Sequence, residues 1–141
     1  MFKVIIAGKY SLEITRSLYC NASCELISNI SAETTDLLII APGAEPPFPN
    51  CNILLIPDEM MAVPKAKIAV SYGMSPKCSI TLSSTGEKPI LAIQREITTL
   101  SGKTIEPQEI YIQNKYGLPP YPLMAVAAAK LILGLSPDSL S

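Results

Sequence analysis

Asp36-Leu37-Leu38-Ile39-Ile40, followed by Ala41-Pro42-Gly43, decides the fold class. A strand with one wet face alternates apolar and polar residues, whereas a strand covered on both faces reads as an unbroken apolar run. This run does not alternate, and it stops at a Pro-Gly pair that neither strand nor helix continues. The pattern recurs on both sides of it. Phe2 to Ala7 is nearly all apolar and ends at Gly8, Asn52 to Ile56 ends at Pro57, and Lys67 to Tyr72 ends at Gly73. Cys24 to Ile27 supplies one more short strand. Between the first two strands, Ser11 to Cys20 reads as a helix, with Ser11 placed as its N-cap and Leu12, Ile14, Leu18 and Tyr19 as its apolar positions.

The link Pro42-Gly43-Ala44-Glu45-Pro46-Pro47-Phe48-Pro49 is too proline-rich for a crossover helix and reads as a tight extended connection. Beyond Gly73 the chain changes character. Ser79 to Ser83 alternates, Pro89 to Ile97 is strand-like, and Thr104-Ile105-Glu106 through Glu109 to Ile112 is expected to pair with it across Ser101-Gly102-Lys103. Gly86 and Gly102 are placed at the turns. Pro119 and Pro120 then introduce a helix over Tyr121 to Leu133, closed by Gly134 with Pro137 beyond it. With almost no polar surface, that helix must be covered. The expected fold class is therefore α/β: a Rossmann-like, mostly parallel open sheet in the first half, then antiparallel hairpins and a closing C-terminal helix, in a single domain spanning residues 1–141.

Composition narrows the chemistry. Hydrophobic residues make up 48% and charged residues 16%, below the usual ~25%, so the core is large for the length and the surface thinly charged. A net charge of -1 with no basic cluster argues against nucleic acid as a partner. Histidine is absent, which removes the imidazole base, the Ser/His/Asp and Cys/His triads and every His-bearing metal site. Cys20, Cys24, Cys51 and Cys78 lack two-knuckle zinc spacing and read as reduced packing residues, so neither a metal nor a cofactor is expected. The first apolar run is too short for a secretory leader, and Leu123 to Leu133 is interrupted by Lys130 and too short for a membrane span. The expectation is a cytoplasmic protein with no membrane contact.

Loops at the carboxyl ends of parallel strands are where open sheets bind ligands. Three of them fall on one edge here, and their chemistry-bearing residues are Gly8, Lys9 and Ser11, then Gly43, then Asp58 and Glu59. Gly8-Lys9 at a strand-to-helix junction has N–H groups and a cation to offer an anion. Asp58-Glu59 forms a carboxylate pair, with a solvated turn as its simpler role. Arg95, Glu96, Glu106 and Glu109 are most simply cross-strand surface charges.

Ile68-Ala69-Val70-Ser71-Tyr72-Gly73-Met74-Ser75-Pro76 and Leu123-Met124-Ala125-Val126-Ala127-Ala128-Ala129 through Gly134-Leu135 resemble two stretches of the central ATPase domain of the Mur ligases. These are its strand with a Phe-Gly-Leu signature and its Asn-Ala-Leu-Ala-Ala helix ending in Leu-Gly-Ile. The order of elements is similar along nearly the whole chain, whereas the specific likeness is confined to residues 68–76 and 117–135. The nucleotide equipment does not carry over. Strand one runs into Ala7-Gly8-Lys9-Tyr10-Ser11, too short for a phosphate loop and with Tyr10 between the lysine and the hydroxyl. The family's metal-linked histidine has no counterpart. Its Gly-x-His-Asn-x-x-Asn segment is matched only by Gly117, with Pro119, Pro120 and Leu123 at the polar positions.

The resemblance thus implies a scaffold that has lost ATP use: a non-catalytic binding or interaction module, connected through that family with cell-wall precursor metabolism. Its expected partner is another protein or a second copy, docked through the closing helix or a sheet edge. The alternative from a different class is a small enzyme or a protein binding a nucleotide-sugar or another small anionic ligand along Gly8 to Ser11 and Asp58-Glu59.

Overall fold

The computed structural model describes residues 2–18, 24–27, 34–45, 48–60, 66–114 and 117–135, with residues 24–27 described as backbone. Ten strands and two helices follow in the order β1 (Phe2–Ala7), α1 (Ser11–Leu18), β2 (Cys24–Ile27), β3 (Thr35–Ile40), β4 (Cys51–Pro57), β5 (Ala66–Tyr72), β6 (Ile80–Ser84), β7 (Ile90–Ile93), β8 (Ile97–Thr98), β9 (Thr104–Ile105), β10 (Gln108–Tyr111) and α2 (Pro120–Ile132). Eight strands form one sheet in the order β10-β7-β6-β5-β4-β3-β1-β2, and β8 and β9 pair apart from it. From β2 to β6 every pairing is parallel, while β7 and β10 are added antiparallel. This is the expected α/β class, with a mostly parallel first half, later hairpins and a closing helix.

The non-alternating runs of β3 and β4 are explained by apolar cover on both faces. Leu37, Ile39, Ile53 and Leu55 face the main core with Val4, Ile14, Leu18, Tyr72 and α2, while Ile5, Leu38, Ile40, Leu54 and Ile56 form a second cluster with Ala44, Phe48 and Met60 against it. Every residue of α2 from Pro122 to Ile132 is buried, as is Leu133 beyond it. The helix therefore spends its apolar surface within the chain, packed on α1 and across β4, β5 and β6. Gly134, at φ 83°, closes it: Leu135 N–H donates to the Lys130 carbonyl at 2.7 Å and Gly134 N–H to that of Leu131 at 3.0 Å, a complete Schellman ending. No helix among the described residues is long and apolar enough to cross a membrane.

Two local expectations are corrected. Ser11 is the first helical residue rather than the cap, because the Tyr10 carbonyl accepts the first helical bond from Ile14 N–H at 2.9 Å. Tyr10 holds that place at φ 65°, a conformation that is an outlier for a bulky side chain. Tyr19 and Cys20, expected to end the helix, lie outside the described residues. The strand expected over Pro89 to Ile97 is broken after Ile93. Gln94 still meets β6 in register, its N–H donating to the Ser79 carbonyl at 2.8 Å and its Nε2 to that of Cys78 at 2.8 Å, and the chain bends beyond it at Arg95. The expected pairing across Ser101-Gly102-Lys103 holds on both sides of that break: β8 pairs antiparallel with β9 and β7 with β10, the register shifting by one position between the two. Gly102 does use a positive φ of 88°, whereas Gly86 is not among the residues that do.

The stagger of the sheet shapes the functional edge. β5 and β6 meet only at Tyr72↔Ile80, the last residue of one beside the first of the other. The β6-β7-β10 wing therefore projects past the carboxyl ends of the parallel strands and flanks the loops that leave them.

Candidate functional site

The loops after β1 and β3 lie against each other at the carboxyl edge, because β1 and β3 are neighbours in register Ala7↔Ile40. They are joined through their backbones. Ala41 N–H donates to the Ala7 carbonyl at 2.7 Å and Lys9 N–H to the Pro42 carbonyl at 3.0 Å. Gly8 makes this closeness possible. It sits at φ 107°, and a Cβ there would overlap the Ala41 carbonyl oxygen and stand 2.9 Å from its carbon. Gly43, at φ 84°, lies under the aliphatic chain of Lys9, whose Cγ and Cε would each be 3.3 Å from an added Cβ.

This geometry brings Gly8, Lys9 and Gly43 together as the sequence implies, but it commits one of the backbone donors that would meet an anion. The Lys9 N–H is committed to Pro42, and the lysine stem is laid over Gly43. Ser11 sits in the first turn of α1 with Glu13, whose carboxylate already complements the positive end of the helix dipole.

Asp58 and Glu59 occupy the turn after β4 and are both exposed. Asp58 is nevertheless engaged. Its N–H donates to the Tyr72 carbonyl at 2.9 Å, and its Oδ1 accepts from the Tyr121 hydroxyl at 2.8 Å. Its carboxylate lies over Gly73, where a Cβ would overlap it. Tyr72 stands behind, its ring 6.0 Å from that of Tyr121 and its hydroxyl donating to the Ile40 carbonyl at 2.6 Å. Asp58, Gly73, Tyr72 and Tyr121 thus bind the ends of β3, β4 and β5 to the start of α2.

The titration behaviour follows from this packing. Loss of hydration, then the hydrogen bond to Asp58 and the negative charges of Asp58 and Glu59, push the Tyr121 phenol up to about 12. Burial, followed by the neighbouring Tyr121 and Asp58, raises the Tyr72 phenol. Burial and the Asp58 charge likewise raise the Cys78 thiol. None of these groups is tuned toward a base or nucleophile at neutral pH; each is held protonated. At the opposite end of the sheet, burial lifts the Cys51 thiol to about 11. No group of three or more His, Cys, Asp or Glu able to hold a metal occurs among the described residues.

The start of α2 is a poor anion site despite its place at this edge. Pro120 and Pro122 have no N–H to give, and Leu123 N–H already donates to the Pro119 carbonyl at 3.0 Å. Among the described residues no buried side-chain N or O lacks a hydrogen-bond partner, so no buried polar side chain is left aimed at a ligand.

Sequence reasoning missed Tyr72 and Tyr121. Their only advance signals were a tyrosine ending an apolar strand and a tyrosine inside a Pro-Pro-Tyr-Pro helix start; the bond from Tyr121 to Asp58 spans sixty-three positions. No family model, curated protein or solved structure matches the chain.

Proposed function

We propose that this chain is a non-catalytic binding or interaction module, built on a Rossmann-like sheet of the Mur-ligase central-domain plan and without ATP use, and that cell-wall precursor metabolism is its setting. The strand order β2-β1-β3-β4-β5 supports the scaffold part of the reading, being a doubly wound order whose switch point falls between β1 and β3. Ligands of such sheets bind in the crevice outside the strand ends at that point. One observation carries the functional part: the crevice between β1 and β3 is occupied by the chain's own backbone, with Lys9 N–H on the Pro42 carbonyl and Gly8 against Ala41. A phosphate would have to break that bond before meeting the N–H it needs.

The direct test is calorimetric titration with ATP and magnesium, and separately with inorganic phosphate. The reading expects no heat of binding at millimolar ligand and no ADP release. Micromolar binding abolished by Lys9→Ala would replace it with the anion-binding alternative.

A further inference from the structure

We infer that β10 is a self-recognition edge, through which two copies pair antiparallel about a two-fold axis at Ile110. This deepens the interaction-module reading by naming its partner, and the two fail separately: nucleotide titration decides one, covalent capture of the edge the other.

The argument starts from the ladder between β10 and β7. Their register is Gln108↔Ile93, Glu109↔Ala92, Ile110↔Leu91 and Tyr111↔Ile90, and Ile112 N–H donates to the Pro89 carbonyl at 3.1 Å. In an antiparallel pair, residues that exchange hydrogen bonds alternate with residues that do not. Ile112 bonds inward, so Ile110 and Gln108 do too, and the N–H and C=O groups of Glu109 and Tyr111 point to the free edge. Among the described residues β10 is the outermost strand of its side, and it contains neither lysine nor proline, two of the residues by which natural edges discourage pairing.

A two-fold axis at Ile110 sets Glu109 opposite the partner's Tyr111 and Tyr111 opposite the partner's Glu109, so each pair exchanges two backbone hydrogen bonds. No glutamate faces a glutamate. Ile110 is half-buried on the main core and meets the partner's Ile110 directly, extending the apolar face of the wing across the axis. Glu109 and Tyr111 occupy the opposite, wet face, where Tyr111 is 68% exposed. The partner's Glu109, set opposite Tyr111, comes to the rim of the 640 Å³ depression that Tyr111 lines with Glu87, Lys88, Gln113 and Asn114, where Lys88 is the cation. Four residues of edge bury much less than the roughly 1,600 Å² of a standard interface, so the dimer is weak and concentration-dependent.

Sedimentation equilibrium of the intact chain from about 10 µM to about 1 mM, with covalent capture, tests this. The weight-average mass should climb from 15.1 kDa toward twice that value. Glu109→Pro removes an outward N–H while sparing the β7 ladder, and should hold the chain at the monomer mass with an unchanged far-ultraviolet spectrum. Ile110 faces its own copy in a non-hydrogen-bonded pair, where Cα atoms stand ~4.5 Å apart, within disulfide reach. Oxidised Ile110→Cys should therefore yield a covalent dimer that neither the parent chain nor Gln108→Cys yields. A clean monomer at every loading overturns the proposal. So does a dimer that Glu109→Pro leaves intact, or one captured by Gln108→Cys and not by Ile110→Cys.

Discussion

Replacing Gly8 with alanine should cost about 3 kcal/mol, and replacing Gly43 only about 1 kcal/mol, although both glycines have positive φ and lie in the same pair of loops. The common part is the strain of an L side chain at positive φ, about 1 kcal/mol or somewhat more. What differs is the neighbour. At Gly43 the new methyl meets the flexible stem of Lys9, which can swing into solvent. At Gly8 it meets the Ala41 carbonyl, which is fixed because Ala41 N–H is bonded to Ala7 and β3 lies in register beside β1. Relief requires the loops to part, losing the Lys9–Pro42 bond and weakening the Ala41–Ala7 bond, each with a net worth of ~1 kcal/mol. For a chain of this size the difference corresponds to a fall in Tm of about 10 °C against about 3 °C. Thermal unfolding followed by circular dichroism reads both. Equal falls, or a smaller one for Gly8→Ala, would refute the claim that the β1 and β3 loops are closed on each other.

Tyr121→Phe removes the hydroxyl from Asp58 but keeps the ring on Tyr72, so a modest loss of about 1 kcal/mol is expected by urea unfolding, and Asp58→Asn should lose no more than that. With the Tyr121 phenol raised to about 12 from 10.0, the folded chain holds a proton that the unfolded chain releases, so stability should be complete below pH 10 and decline between about pH 10 and 12; Tyr121→Phe should soften that decline. Leu131→Glu places a carboxylate at a position 7% exposed inside a helix buried on all sides, and should abolish cooperative unfolding rather than dissociate a dimer. Cys51 and Cys78, buried and with raised thiol pKa values, should resist a water-soluble thiol reagent at pH 8 until the chain is unfolded, as peptide mass mapping would show.

The parallel half of the fold was legible because burial on both faces writes itself into sequence as uninterrupted apolar runs: β1 and β2 match their expected limits, and β3, β4 and β5 lie within one residue of theirs. The closing helix was equally plain, with prolines at its start and Gly134 just past its end. In the hairpins the pairing was legible and the break was not: Gln94 looks like any polar strand residue, and nothing in the sequence shows its side chain turning to the Cys78 carbonyl where β7 ends. Ser11 misled for a related reason: a serine before an apolar stripe usually caps, but Tyr10 accepts a strained conformation one position earlier. At the edge, the chain order placed Gly8, Lys9, Gly43, Asp58 and Glu59 on one side of the sheet. It carried no sign that backbone bonds close the first three upon each other, or that Tyr121 reaches Asp58 from the other end of the sequence.

The most direct test of the account is the amide spectrum of the chain during titration with ATP and magnesium, read at Gly8, Lys9, Ala41 and Gly43. If the crevice between β1 and β3 is closed by its own backbone, these resonances stay in place to millimolar ligand, and the Lys9 and Ala41 amides exchange slowly with solvent. Saturable shifts at Gly8, Lys9 and Gly43, with rapid exchange at Lys9 in the free protein, would show an open phosphate site and contradict it.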